Sequence, residues 1–235
     1  MKAAIIAAGS GERLRQGGVA QPKPLFPVAG QALIDHVLTA VELAGLRDVA
    51  CIVNEESQGI EEHCRQRWTE LQFDFVRRTT PSSMESLFTL SPLLRDERFV
   101  LLTVDAVFAP SVLRQFVRAA ACRHGAHGVL AVNGFVDDEK PLWAELAPGG
   151  RITALGPEAG GSGLVTAGFY VFDPAIFDEI PAARRARFTA LRQFLGHLLA
   201  RDYHLYGKRV PKTVDVDRLQ DVATAEKFIR SNYRQ

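Results

Sequence analysis

The sequence is poor in cysteine. Only Cys51, Cys64 and Cys122 occur among its 235 residues, and they are too few and too scattered for a disulfide framework. His63 adjoins Cys64 and His124 lies close to Cys122, but no CxxC pair is present, so we do not expect a zinc site. These absences predict buried structural thiols and a cytoplasmic protein.

Long apolar runs and an excess of one charge are also missing. No stretch approaches the ~20 apolar residues of a membrane-spanning helix, and the first residues lack the pattern of a secretion signal. The formal net charge of +1 argues against a large electrostatic footprint for duplex nucleic acid. We therefore expect neither a membrane nor a nucleic acid as a partner, although a local basic cluster can still hold a small anion.

Two common phosphate-binding motifs are absent or incomplete. A P-loop requires GxxxxGK followed by Ser or Thr, and no such string occurs. A GxGxxG dinucleotide motif begins at Gly9 and Gly11, but Leu14 stands at the third glycine position. Asn54 ends the second predicted strand, where that motif requires a ribose-binding acid. Neither motif therefore explains the glycine-rich loop.

What is present is an alternation of apolar strands and helical segments over about the first two-thirds of the chain. Strands are predicted at 2–8, 48–54, 73–78 and 98–108, and helices at 31–45, 55–70, 83–94 and 111–123. This order predicts a mostly parallel sheet with right-handed crossovers. Ligands of such open sheets lie beyond the carboxyl ends of the strands, where both the glycine-rich loop and Asp105 fall.

From residue 128 the pattern changes to short strands separated by proline, glycine and aspartate. Strands are predicted at 128–136, 141–146, 151–156 and 163–172, helices at 174–180 and 188–200, and a strand, an acidic turn and a final helix within 212–230. These predict a smaller, partly antiparallel section beside the main sheet. We expect one domain over 1–235 with a Rossmann-like, three-layer α/β sandwich fold.

The loop after the first strand carries residues that suit a phosphate. Gly9 and Gly11 allow backbone N–H groups to turn toward phosphate oxygens, and Arg13 offers a planar guanidinium fork. Prolines on both sides of Lys23 restrict the backbone, so its ammonium extends from a stiff stem. A glycine-rich turn with solvated cations is the plainer alternative, but the whole string after a strand favours a phosphate-binding loop.

The string AAGSGERL…QPKPLFPVAGQALIDHVL resembles the signature of the nucleotidyltransferases that make nucleoside-diphosphate sugars and related activated alcohols, including the small cytidylyltransferases. TPSSMESL is similar to the base- and ribose-contacting segment of that family, LLTVDAVF to its metal-binding aspartate strand, and VTAGFYVFDPAIF to its acceptor-side strand. TVDVDRLQDVATAE is similar to its closing segment. The resemblance implies a nucleotide-binding half at 1–125 and an acceptor-binding half at 126–235.

The reaction implied by this resemblance transfers a nucleoside monophosphate to a small phosphorylated acceptor and releases pyrophosphate. A phosphate monoester is mostly a dianion near neutral pH, because its second pKa is ~6, so it needs no general base. The protein has to align the reactants and neutralise charge. This accounts for the lack of a convincing Ser/His/Asp set.

The resemblance also assigns residues. Arg13 and Lys23 are the catalytic residues, which neutralise the leaving phosphates and the α-phosphate region. The expected nucleotide-binding residues are Ala8, Gly9, Ser10, Gly11, Ser82, Ser83 and Ser86, and the three serines are equally well explained as helix caps.

Magnesium is the expected cofactor. Asp105 ends an apolar strand, where an isolated carboxylate is costly without a cation or hydrogen bonds. Asp215 and Asp217 flank one residue, so an extended chain directs both to the same face, and the family alignment favours Asp215 as the second ligand. Asp217 is either a further ligand or, like Asp221, a cap of the last helix.

The acceptor is less well defined. Enzymes that use hexose 1-phosphates usually carry EKP after an IxxI strand, whereas here RITALG is followed by PEAGGSG and an EKP lies earlier, at 139–141. The acceptor-binding candidates are Lys140, Thr166, Arg209 and Lys212. Phosphocholine-like, polyol-phosphate and phosphonate acceptors stay open, and the lack of appended repeat domains favours CTP or UTP. A homodimer is compatible with the sequence.

The sequence leaves two other functions open. A nucleotide-sugar-dependent glycosyltransferase would use the DVD string at 215–217 as its DxD motif, but that motif normally follows the fourth strand. A non-catalytic nucleotide-binding regulator would not need Lys23, Asp105 and Asp215 together.

Overall fold

The computed structural model describes residues 1–135 and 141–233. Its strands are β1 (Lys2–Ala7), β2 (Pro27–Val28), β3 (Gln31–Ala32), β4 (Asp48–Val53), β5 (Gln72–Arg77), β6 (Phe99–Thr103), β7 (Ala106–Val107), β8 (Gly128–Asn133), β9 (Ala144–Leu146), β10 (Ile152–Leu155), β11 (Val165–Phe172), β12 (Leu205–Arg209) and β13 (Val214–Asp215). Its α-helices are α1 (Glu12–Gln16), α2 (Leu33–Leu43), α3 (Ile60–Arg67), α4 (Ser83–Leu90), α5 (Pro110–Ala121), α6 (Ile180–Arg185), α7 (Leu191–Ala200) and α8 (Leu219–Asn232).

Seven strands form the central sheet, in the order β12-β8-β11-β6-β1-β4-β5. β1 pairs in parallel with β4 on one side and with β6 on the other. The chain thus builds outward from β1 through β4 to β5, and then returns to the opposite side of β1. This reversal places a topological switch point between the carboxyl ends of β1 and β6, which is where open α/β sheets bind ligands.

Alternating side chains of the strands fill two cores, one on each face of the sheet. In β1, Ala3 and Ile5 face the core that contains α2 and α5, whereas Ala4 and Ile6 face the core that contains α4 and α7. Successive side chains of a strand point to opposite faces, and helices covering both faces of a largely parallel sheet make its strands apolar throughout. The predicted three-layer α/β sandwich is confirmed.

The second half of the chain differs from its prediction in two respects. β8 and β11 extend the main sheet instead of lying beside it, and only β11 runs antiparallel to its neighbours. β9 and β10 form a separate two-stranded antiparallel sheet. β12, which pairs in parallel with β8 at the sheet edge, was not predicted. Its residues around Gly207 are half-exposed, so the strand gives little apolar signal.

The cysteines follow the prediction in part. Cys51 and Cys64 are buried thiols, but Cys122 is exposed. Burial raises the pKa of the Cys64 thiol to about 12, so it stays protonated and inert near neutral pH. Across the two described ranges, no helix combines the length and the apolar character needed to cross a bilayer.

Candidate active site

The loop between β1 and α1 lies at the switch point of the sheet. Gly11 adopts a left-handed conformation with φ of 64° and immediately precedes α1. A Cβ atom at this position would lie 3.0 Å from the Cβ of Lys23. Gly11 therefore allows both the turn into α1 and the close approach of the lysine stem, which is a geometric reason for glycine that the sequence pattern alone did not reveal.

Asn54 anchors this loop to the neighbouring strand. Its side-chain Nδ2 donates to the carbonyl of Ala8 at 3.3 Å, while its Oδ1 accepts hydrogen bonds from the Glu56 amide and the Thr79 hydroxyl at 2.9 and 3.1 Å. Asn54 is buried. The residue at the position of a ribose-binding acid thus has a structural role here.

Pairing of two short strands brings the aspartates together. β7 and β13 pair antiparallel, so that Asp215 faces Ala106, and the amide of Val216 donates to the carbonyl of Asp105 at 3.0 Å. The side chain of Asp221 accepts from the backbone amides of Asp217 and Arg218 at 3.0 and 2.7 Å. Asp221 is therefore the cap at the start of α8, and the carboxylate of Asp217 points elsewhere.

Lys23 joins Asp105 to Asp217. Its Nζ lies 2.9 Å from Oδ2 of Asp105 and 2.6 Å from Oδ1 of Asp217. The other oxygen of Asp217 accepts a hydrogen bond from the Arg13 guanidinium at 3.0 Å. The two predicted catalytic cations thus share one carboxylate, and it belongs to Asp217.

The charges in this network stabilise one another. Burial lowers the pKa of Lys23, but the carboxylates of Asp105 and Asp217 outweigh that effect and raise it to about 12. Burial also opposes ionisation of Asp105, yet the Lys23 ammonium and hydrogen bonds from Lys23 and Thr103 bring its pKa below the usual value. Lys23 is consequently cationic and Asp105 anionic at neutral pH.

Two clefts meet at Asp105. The small cleft, of about 460 Å³, is lined by Ile6, residues 8–13, Lys23, Pro24, Asn54, residues 79–83, Ser86, residues 103–105 and Asp217. The large cleft, of about 820 Å³, is lined mainly by residues between Phe135 and Thr224. The residues common to both are Arg13, Ser83, Thr103, Asp105 and Asp217.

The residues predicted to bind nucleotide all lie at the small cleft. Ala8, Gly9, Ser10, Gly11, Ser82, Ser83 and Ser86 line it together. Ser82 is also a helix cap, since its hydroxyl accepts from the Glu85 amide at 3.3 Å. The Ser86 hydroxyl lies 2.6 Å from that of Thr80, so these two serines have structural partners in addition to their place in the cleft.

The predicted acceptor-side residues are divided. Thr166 and Lys212 line the large cleft, and the Nζ of Lys212 lies 5.6 Å from the centre of the Phe135 ring. Arg209 ends the edge strand β12 and is not among the described residues that line either cleft. Lys140 lies outside the described residues.

Tyr170 and Arg192 are among the residues of the large cleft that were not predicted from the sequence. Tyr170 is 6% exposed, and burial raises the pKa of its phenol to about 12, against the opposing effects of a hydrogen bond with Thr166 and of the Arg192 guanidinium. Arg192 lies in the first turn of α7. Its place in an ordinary amphipathic helix gave no signal, because only tertiary packing turns that end of α7 toward Asp105.

Replacing Gly11 with alanine is expected to destabilise the protein by about 1–2 kcal/mol, since an alanine in left-handed backbone carries that strain and its Cβ would press on Lys23. Gly9→Ala is the matched control: its Cβ would meet no protein atom within 4 Å, and its φ is not positive. Urea unfolding of both variants measures the difference. Equal free energies of unfolding would contradict the role given to Gly11.

A glycine-rich loop, a buried lysine and paired aspartates at the switch point of a three-layer α/β sandwich define a nucleotide-binding protein of the transferase type. The family of MobA-like NTP transferase domains matches residues 3–204. The chain belongs to this family.

Individual relatives agree with this family. The chain is 28% identical over 173 residues, or 66% of its length, to CMP-5'-(3-aminopropyl)phosphonate synthase of Streptomyces rubellomurinus, and 31% identical over 121 residues, or 49% of its length, to the bifunctional IPC transferase and DIPP synthase of Rubrobacter xylanophilus. These matches span 27% and 26% of the two relatives. The fold is similar to that of the inositol-1-phosphate CTP transferase from T. maritima, with a TM-score of 0.84, 19% identity, and coverage of 100% of this chain and 98% of that one.

Proposed function

We propose that this protein is a nucleotidyltransferase that moves a nucleoside monophosphate from CTP, or from UTP, to a small acceptor carrying a phosphate or phosphonate group. The observation that carries this proposal is the position of Lys23, held between Asp105 and Asp217 where the two clefts meet. One cleft accommodates the triphosphate and the other the acceptor, and both reactants reach the same charged centre.

The triphosphate is assigned to the small cleft. The loop at residues 8–11 offers backbone amides beside two cations, Arg13 and Lys23, and this combination suits the charge of a triphosphate. Gly9 supports this assignment, because no protein atom within 4 Å requires a glycine there, whereas a side chain would narrow the cleft.

The residues fit a magnesium ion. Mg²⁺ is usually held by one or two carboxylates, substrate phosphates and waters, and one oxygen each of Asp105 and Asp217 already converges on a single ammonium. No group of three or more acidic, histidine or cysteine side chains suited to a metal occurs within 1–135 and 141–233, so phosphate oxygens would complete the shell. When bound, the ion would neutralise phosphate charge; Asp215, which also lines the large cleft, remains a further candidate ligand.

The chemical step requires alignment. An oxygen of the acceptor phosphate or phosphonate attacks the α-phosphorus, the bond from that phosphorus to the bridging oxygen breaks, and pyrophosphate leaves. Near neutral pH the acceptor is already largely ionised, so no side chain has to remove a proton. Lys23 and Arg13 offset the charge that develops on the phosphoryl oxygens and the leaving group.

The lining of the large cleft supports an acceptor with an anionic end. Its walls combine the apolar side chains of Leu142 and Leu195 with the cations Arg192 and Lys212, which suits a small molecule with an anionic end. The names of two similar proteins, a CMP-5'-(3-aminopropyl)phosphonate synthase and an inositol-1-phosphate CTP transferase, refer to a phosphonate and to an inositol phosphate, which have that character. Both of those names contain a cytidine nucleotide, which supports CTP over UTP.

The test is a pyrophosphate-release screen of the four common ribonucleoside triphosphates against phosphorylated sugars, polyols, amino alcohols and alkylphosphonates, with magnesium present. The expected result is pyrophosphate formation, fastest with CTP and a non-hexose acceptor. Formation of free nucleoside diphosphate from a nucleotide sugar would instead indicate a glycosyltransferase. Absence of turnover with every combination would count against the proposed reaction.

Arg192→Gln is expected to raise the KM for the acceptor about tenfold or more, the effect of losing a charge-assisted hydrogen bond. The KM for the nucleotide should not change, because Arg192 lines only the large cleft. Arg185→Gln is the matched control, since Arg185 ends α6 and does not line either described cleft. Steady-state kinetics with each substrate varied in turn measures both constants, and an unchanged acceptor KM would remove Arg192 from the acceptor site.

A further inference from the structure

The ammonium of Lys23 occupies the point where the carboxylates of Asp105 and Asp217 converge. The lysine side chain is 9% exposed, whereas the two aspartate side chains are 31% and 42% exposed. Solvent and solutes therefore reach the acids more easily than the cation between them. In the structure the pair of Asp105 and Asp217 thus already has a counter-ion, which is the ammonium of Lys23.

The backbone holds Lys23 in this position. Lys23 stands between Pro22 and Pro24 and begins a 3-10 turn, Lys23–Leu25. The side-chain amide of Gln21 donates a hydrogen bond to the carbonyl of Leu25, at the end of that turn, at 2.8 Å. The Cβ of Lys23 also lies against Gly11. Only the long aliphatic chain beyond Cβ is left to move, so the ammonium can change partners without any change in the loop.

We propose that Lys23 is a built-in counter-ion that keeps divalent cations off the Asp105–Asp217 pair until a nucleoside triphosphate arrives. This inference rests on the proposed function for the identity of the nucleotide and for the metal-binding role of the two acids. It adds an order of events: the metal binds with the nucleotide and not before it.

The physical reason is competition for the same oxygens. A divalent cation that binds without nucleotide has to break both charge-assisted hydrogen bonds of Lys23 and then remain beside a displaced ammonium. A bound triphosphate changes both conditions. It gives Lys23 other oxygen acceptors, and it supplies phosphate oxygens to the ion, which prefers such mixed coordination.

The experiment is a titration of nucleotide-free protein with Mn²⁺, used as the probe ion, in which electron paramagnetic resonance reports the unbound ion. Lys23→Met removes the ammonium while keeping a similar side-chain length. The variant is expected to bind Mn²⁺ about tenfold or more tightly than the wild type, because the competing charge is gone.

Three variants control this result. Lys23→Arg keeps the charge and should retain the weak binding of the wild type. The double variant Lys23→Met with Asp217→Asn should lose the gain in affinity. Lys2→Met removes the cation of a surface pair with Asp74, joined at 3.1 Å at the start of β1, and should leave Mn²⁺ binding unchanged.

The outcomes separate this inference from the proposed function. Tighter Mn²⁺ binding by Lys23→Met in a protein that never releases pyrophosphate would keep the counter-ion role and reject the reaction. Pyrophosphate release by the wild type, with Lys23→Met binding Mn²⁺ no more tightly, would overturn the counter-ion role alone. Circular dichroism verifies the fold of each variant, and Lys23→Gln is the replacement if the methionine variant does not fold.

Discussion

Asp105→Asn is expected to reduce kcat for pyrophosphate release by about 10²–10³-fold. This is the range found when one preorganised electrostatic group is removed from an active site. Asp105 lies in the turn between β6 and β7, at the meeting point of the two clefts, and its carboxylate accepts a hydrogen bond from Lys23 at 2.9 Å. The amide keeps the size of the side chain but removes the charge. Loss of that charge weakens both the proposed metal site and the position of Lys23.

The same measurement on Asp217→Asn and Asp215→Asn distinguishes the two partner acids. Asp217→Asn should approach the effect of Asp105→Asn, because Asp217 contacts both Lys23 and Arg13. Asp215→Asn, at a carboxylate that lines only the large cleft, should have a smaller effect, with the acceptor KM more affected than kcat. A reversed order of the two variants would restore Asp215 as the principal partner of Asp105.

Lys23→Met is expected to lower kcat by on the order of 10³-fold while changing the Kd for the triphosphate by only a few-fold. Arg13 and the backbone amides of the glycine-rich loop remain to bind the triphosphate, whereas the developing charge near the α-phosphorus loses its cation. Single-turnover kinetics combined with equilibrium nucleotide binding separates these two quantities.

Lys23→Arg tests whether charge alone is sufficient. The guanidinium is larger and planar, and the lysine stem is closely packed against Gly11, so we expect only partial recovery of kcat. A Lys23→Met variant that turns over at the wild-type rate would contradict the catalytic assignment. Loss of nucleotide binding together with turnover would indicate that Lys23 serves ground-state binding instead.

Three predicted strands of the first half agree closely with the structure because they are buried on both faces. β1, β4 and β6 consist almost entirely of apolar residues, and such runs carry a strong local signal. The predicted strand at 98–108 nevertheless breaks at Asp105 into β6 and β7, because the chain turns there to pair β7 with β13. The neighbouring residues give no sequence signal that β7 pairs with β13.

The glycine-rich loop was predictable for a similar reason. Its glycines, prolines and cations lie close together in the chain, so their spacing is visible in the sequence. Which acid accompanies Asp105 could not be read from the sequence, because Asp215 and Asp217 both adjoin Val216 and point to the same face of an extended chain. In the structure Lys23, 194 residues away in sequence, contacts Asp217.

The amino-acid order alone determined the alternation of strands and helices, the grouping of glycines, prolines and cations in the first loop, and the need for a positive charge near Asp105, since each depends on local residue types. Tertiary structure decided that Asp217 meets Lys23, that Asp221 caps α8, and that Arg192 reaches the large cleft. These contacts depend on strand register and on the orientation of packed helices, which arise only when distant segments share one sheet edge.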